Sequence, residues 1–335
     1  HPRQRVSPIR AAAGWLALLL LVGGCSVTGP ALPPAELAGY DAVELTEVPF
    51  YPQQRYQCGP AALAMVLDWS GVGIGPEALT ELLYIPARRG SLQPELMAQA
   101  RRQQRLAYRI PGQPQALLDE LAAGHPVLVL QNLGLSWWPV WHYAVVIGYQ
   151  PAADALLLRS GTTARHRVAL ATFLRTWQRG GNGGMVVLPP GRVPASAEPG
   201  PYLVAAYDLE ATGLLEQAQL AYTAGVERWP AQAGLRLALA NAHYAQGRLE
   251  QAIAVLEEGI AAGAIAAANY NNLALLLAER QRWDAAEAAA REAVKLGGPD
   301  METYRKTHAD ICRRRPGGCA GADRSPLAIP HPPDS

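Results

Sequence analysis

Between Gly213 and Ala290 the sequence repeats at a step of 34 residues: "GLLEQA" begins at Gly213, "GRLEQA" at Gly247 and "QRWDAA" at Gln281. Ala218, Ala252 and Ala286 fall at one phase of the period, and Tyr222, Leu256 and Ala290 at another. A small residue at one phase and a filler at the other is the pattern of paired helices that cross closely. Pro230, in "ERWP", closes the first unit. A single helix pair cannot bury its apolar face alone, so repetition at this length requires neighbours to stack into an open array.

The period, the small-residue phase and the helix-turn-helix pattern together resemble the tetratricopeptide repeat. The resemblance implies an all-α solenoid over residues 201–313, with three units ending near Gly298 and "METYRKTHADIC" as a solvating terminal helix. It also implies a groove for a protein partner. A disordered tail is expected over 314–335, and the Pro- and Gly-rich stretch "PPGRVPASAEPGP" marks a linker at 191–200.

Upstream of that break the texture changes. "CGPAALAMVLDWSG", "GPEALTELLY", "SLQPELMAQARRQQR" and "QALLDELAAG" read as helices, with Gly71 as a stop and Ser91 as an N-cap. "HPVLVLQN", "HYAVVIGYQ", "ALLLRSG" and "GMVVLPP" then read as short strands between turn residues. Helices followed by an antiparallel sheet predict an α+β domain over 46–190.

Cys58 opens the first of those helices. Its sulfur is expected near unpaired backbone N–H groups and the positive end of the helix dipole, which favour a thiolate. Pro60 lacks an N–H and suits a first turn; Gly59 permits close approach. A cysteine nucleophile needs a base, and His125, His142 and His166 are the histidines of this half. His125, in the turn "AGHPV", and His166, in the polar stretch "TTARHR", are expected to be solvated. His142, opening "HYAVVIGY", is placed to project over the sheet end as the base. An oxyanion would be met by the Cys58 backbone N–H and a side-chain amide from Gln53, Gln54 or Gln57, among which spacing does not choose. Trp137, Trp138 and Trp141 are expected to wall a substrate groove or to pack beneath the sheet.

"VPFYPQQRYQCGPAALAMVL" followed by "HYAVVIGY" resembles the bacteriocin-processing, double-glycine-leader type of cysteine peptidase, within the papain-like clan. The resemblance implies Cys58 as nucleophile, His142 as base and Gln53 in the oxyanion hole. It also implies an aspartate on the strand after the histidine strand, where Ser160 stands instead. A serine holds a ring without supplying charge. Asp154 reads as a turn residue, and Asn132 is a further candidate for orienting the ring.

Arg3, Arg5 and Arg10 precede the apolar run "GWLALLLLVGG", which is shorter than the about 20 residues of a spanning helix. "LVGGC" resembles a bacterial lipobox. That predicts a signal peptide over 1–24, lipidation at Cys25, and a tether over 25–45. With Ser26 after the cysteine, the expected location is the outer membrane, facing the periplasm. Cys312 and Cys319 can then close a small loop, leaving Cys58 unpaired.

A formal net charge of +1 argues against nucleic-acid binding, and no cofactor or metal is expected. The sequence therefore predicts a papain-like cysteine peptidase domain followed by a tetratricopeptide solenoid, tethered to a membrane and acting on a peptide or protein. A dead peptidase serving as a peptide-binding scaffold, and an amidase or acyl transferase using the same Cys58–His142 pair, are its rivals.

Overall fold

The computed structural model describes residues 37, 39–53, 56–88 and 90–319. The signal peptide, Cys25, Gln54, most of the tether and most of the tail lie outside the described residues. Among the described residues no helix is long and apolar enough to cross a membrane. The described residues from Gly39 onward form one compact unit.

The first part carries a seven-stranded antiparallel sheet in the order β2-β7-β3-β4-β5-β6, with β1 paired to β4 beside it. The strands are β1 (Val43–Glu44), β2 (Leu106–Arg109), β3 (Val127–Asn132), β4 (Trp141–Gln150), β5 (Ala155–Ser160), β6 (Thr163–Ala169) and β7 (Gly184–Leu188). β1 fits beside β4 because Gly148 has no side chain: a Cβ there would lie 2.4 Å from the Val43 carbonyl oxygen. Helices α1 (Cys58–Trp69), α2 (Pro76–Leu83), α3 (Gln93–Arg102) and α4 (Pro114–Ala122) precede most of the sheet, and α5 (Leu170–Arg179) interrupts it between β6 and β7.

The sequence of α1 explains its central place. Gly59 through Leu67 are all buried, so the helix has no solvated flank over that stretch and is enclosed by α2, α3 and the sheet strands β3, β4 and β7. Gly71 follows it with φ +88°, the left-handed conformation that stops a helix cleanly. The N-cap of α3 is Leu92 rather than Ser91, whose hydroxyl is turned inward beside Gly59 and has no hydrogen-bond partner among the described residues. Four elements were not expected from the sequence: β1 lies where a tether over 25–45 was expected, and its pairing with β4 draws Val43 and Glu44 into the sheet. β2 is only four residues long, β6 is exposed along most of its length, and α5 buries only Leu170, Phe173 and Trp177.

The second part is helical: α6 (Pro199–Ala211), α7 (Leu215–Arg228), α8 (Ala233–Ala245), α9 (Leu249–Ala261), α10 (Ala267–Glu279), α11 (Trp283–Leu296) and α12 (Met301–Arg314). Ala218, Ala252 and Ala286 are buried, as are Tyr222, Leu256 and Ala290. A third phase is also restricted. A Cβ on Gly225 would lie 2.7 Å from the Tyr202 ring, and one on Gly259 would lie 2.9 Å from the Arg236 side chain, one repeat further on. Helix α12 buries only Tyr304, Thr307 and Ile311, which suits a cap with a wet outer face. Cys312, in the last turn of this helix, is joined in a disulfide to Cys319 beyond it.

The stretch between the two parts is held to the first. Glu120, fully buried in α4, accepts hydrogen bonds from the Ala195 N–H (3.2 Å), the Ser196 N–H (2.8 Å) and the Ser196 hydroxyl (2.6 Å). His125 is buried rather than solvated, with Nδ1 2.7 Å from the same carboxylate. The turn residue was drawn inward because a buried carboxylate needs every lone pair met. The Glu198 N–H donates to the Tyr108 hydroxyl at 3.1 Å, and Arg101 pairs with Asp208 of α6 at 2.9 Å.

Candidate active site

Three segments converge at one end of the sheet: the start of α1, the start of β4 and the turn after β5. Cys58 is a free cysteine at the first position of α1. The backbone N–H groups of Tyr143, Gly59 and Cys58 itself face its sulfur. The residue directly after His142 therefore lies against the thiol. Gly59 makes this approach possible, since a Cβ there would be 3.0 Å from Ser91 Cβ and 3.4 Å from the Tyr143 ring.

The thiol does not behave as the helix dipole alone would predict. Burial pushes its pKa up, and the three backbone donors pull it down by less. Desolvation of the charged form outweighs the donors, so the resting sulfur is a thiol. The His142 ring is also held neutral: burial lowers its pKa, and the nearby His166 lowers it further.

His142 Nε2 is 2.8 Å from the Ser160 hydroxyl. That leaves Nδ1 as the unengaged ring nitrogen, and no hydrogen bond joins either nitrogen to Cys58 among the described residues. Gln53 is buried and spans the same strands. Its Nε2 donates to the Tyr143 carbonyl at 3.1 Å, its Oε1 accepts from the Gly161 N–H at 2.8 Å, and its own N–H donates to the Gly161 carbonyl at 2.9 Å. One side chain thus ties the residue after His142 to the residue after Ser160. An amide nitrogen carries two hydrogens, and one remains for another acceptor.

Residues 45–185 match the Peptidase_C39 like family. The chain carries a C39-like peptidase domain followed by tetratricopeptide repeats. The repeat model matches residues 203–265 and 237–301. Among solved structures, a C39-like peptidase from Bacillus anthracis aligns at 18% identity and TM-score 0.38, covering 44% of this chain and 98% of that one. The peptidase domain of Streptococcus ComA, a bifunctional ABC transporter of a quorum-sensing pathway, aligns at 22% identity and TM-score 0.34, covering 45% and 98%. YrrB, a tetratricopeptide protein with an unusual peptide-binding site, aligns at 19% identity and TM-score 0.31, covering 34% of this chain and 58% of that one. A comparison with curated proteins returns no match.

Within the C39-like domain, the remaining candidates lie elsewhere. Asn132 does not reach the histidine: its Oδ1 accepts from the Gly134 and Val140 N–H groups, both at 2.9 Å, and so closes the β3–β4 loop. Asp154 is exposed in a left-handed turn with φ 42°. His166 lies on the exposed strand β6. Trp137, Trp138 and Trp141 do not pack beneath the sheet; they are 78%, 71% and 56% exposed. Ser91 is the neighbour of Gly59, the residue after the cysteine, that sequence spacing had no means to find, because the approach spans from α1 to the lead-in of α3.

Proposed function

We propose that the C39-like domain hydrolyses a peptide bond through Cys58 and His142. The observation that carries this reading is the backbone of Tyr143 against the Cys58 sulfur, which brings the strand of His142 to the start of α1. In this reading the Ser160 hydroxyl, 2.8 Å away, accepts the Nε2–H of His142, which leaves the Nδ1 lone pair as the basic site. Nδ1 takes the thiol proton as sulfur attacks the carbonyl carbon. The resulting oxyanion is met by the Cys58 N–H and the second amide hydrogen of Gln53. The imidazolium returns its proton to the leaving amine, and water, deprotonated by the same nitrogen, cleaves the thioester.

Because both groups rest neutral, the pair is activated only when a substrate brings them together. A dead peptidase that binds peptides is the second reading, favoured by the raised Cys58 pKa and by an uncharged Ser160 in place of a carboxylate. In either case the repeats would present a groove to the substrate or a protein partner. Tethering through a lipidated Cys25 on the periplasmic side of an outer membrane completes the proposal. The Cys312–Cys319 disulfide supports an oxidising compartment, and intact mass of the protein from membranes would test the lipid.

The test of chemistry is the rate of Cys58 alkylation against pH, beside cleavage of a peptide library. Hydrolysis is expected to fall by about a hundredfold or more in His142→Ala and to rise in Ser160→Asp, which restores charge behind the ring. A library left intact by both the parent and Ser160→Asp, with alkylation indifferent to His142, would establish the binding module instead.

A further inference from the structure

The loop between β3 and β4 is built as a stiff projecting hairpin. The Leu133 N–H donates to the Val140 carbonyl at 2.9 Å, and Leu135 and Trp138 exchange backbone hydrogen bonds at 3.1 Å. Asn132 fastens its base through Gly134 and Val140, and a Cβ on Gly134 would lie 2.4 Å from the Trp138 carbonyl oxygen. A loop so tightly bonded presents its side chains in fixed positions. Those side chains are Leu133, Leu135, Trp137, Trp138, Val140 and Trp141, and every one is exposed.

Charge divides sharply along the sequence that contains the hairpin. From Pro126 to Gln150 the sequence has no Asp, Glu, Lys or Arg. From Ala155 to Ala197 it has Arg159, Arg165, Arg167, Arg175, Arg179 and Arg192, and no acidic residue. Arg179 donates from Nε to the Asn132 carbonyl at 3.3 Å, at the base of the hairpin. Arg175 is exposed one helical turn earlier on the same face of α5. Arg165 is occupied by Glu44, and Arg159 by backbone carbonyls, but α5 carries no acid to neutralise its own two arginines.

We propose that residues 133–141 form a prong that seats in the interface of an anionic phospholipid bilayer. Indole rings favour the headgroup level, where an apolar body and a polar N–H are both accommodated. An exposed, uncharged loop of apolar side chains suits a fluid surface, and Arg175 and Arg179 on α5 meet the lipid phosphates. Trp141 immediately precedes His142, so seating would hold the mouth of the C39-like site at the membrane surface. The prong stands whether or not that site is active.

The experiment uses the compact unit from Gly39 onward, which lacks both the apolar run at 14–24 and Cys25, mixed with vesicles of zwitterionic and anionic phospholipid whose acyl chains are brominated near the headgroup. Tryptophan emission should shift to the blue and be quenched, and Trp137→Ser with Trp138→Ser should remove about tenfold or more of the quenching-derived affinity. Both side chains are mostly exposed, so thermal unfolding should be unchanged. Arg175→Glu or high salt should weaken only the anionic-vesicle signal. Emission indifferent to vesicles would overturn the proposal. So would a blue shift produced only by peptides, or only by raising protein concentration, since the prong would then be a peptide subsite or a self-association surface.

Discussion

Ala218, Ala252 and Ala286 occupy equivalent places in three helix pairs and are buried alike, whereas β3 and β6, two strands of one sheet, share almost nothing. β3 is buried over most of its length, and β6 is exposed over most of its length. In the array each unit meets only its neighbours, so one local rule recurs and leaves a period in the sequence. In the sheet each strand meets different surroundings: β7 sits between β2 and β3, and β4 carries β1 as well as β3 and β5. Repetition writes structure into sequence, while an antiparallel sheet of unlike strands records it in long-range partners that a sequence window never sees.

The helical array and the sheet domain meet at the Glu120 junction, where a single substitution should act most strongly. Glu120→Ala should cost roughly 3–5 kcal/mol, because it strands the Ala195 and Ser196 donors and leaves His125 buried without its partner. Urea unfolding would check this, and a loss below about 1 kcal/mol would mean that the junction is held by apolar packing instead.

Gly225→Val sharpens the array side. The added atoms meet the Tyr202 ring and Leu235, and overpacking of this kind should cost about 1–3 kcal/mol. Gly247, which lies outside that crossing with nothing within 4 Å of its Cβ position, reports only its left-handed backbone (φ +73°). If Gly225→Val and Gly247→Ala shift the unfolding midpoint equally, the third repeat phase is a matter of backbone conformation and not of helix crossing.

The smallest effect belongs to the site. A histidine whose folded pKa lies below its unfolded value of about 6.5 stabilises the neutral form. Its contribution is complete above that value and is lost as pH falls through the lower folded pKa. A thiol raised by burial contributes oppositely: its share is complete below the unfolded thiol pKa and is lost as pH rises through the folded one. Stability should therefore decline on both sides of neutrality. His142→Ala should flatten the acid arm and Cys58→Ser the alkaline arm, which unfolding midpoints across pH would read directly.

The helical array was legible almost residue by residue, because its phases are local. The first helix, its Gly71 stop and the strands that carry His142 and Ser160 were legible too, since turn residues bound those elements; the place of Ser160 behind the ring was implied by the family resemblance alone. β2, β6 and α5 were not: β2 is very short, β6 is polar, and α5 buries only three apolar side chains. His125 was misread as solvated because its partner Glu120 sits in what looks, from sequence, like an ordinary amphipathic helix.

By itself, the sequence determined two architectures, a cysteine at a helix start, and a histidine at a strand start with serine in place of the acid. Only the tertiary structure decided which atoms meet. It turned Gln53 into a clasp between Tyr143 and Gly161, sent Asn132 to the hairpin base, and placed three tryptophans in the open. It also reversed the expected state of Cys58. The helix start that favours a thiolate is a local property, but desolvation depends on everything packed around the sulfur, and only the assembled fold supplies that surrounding.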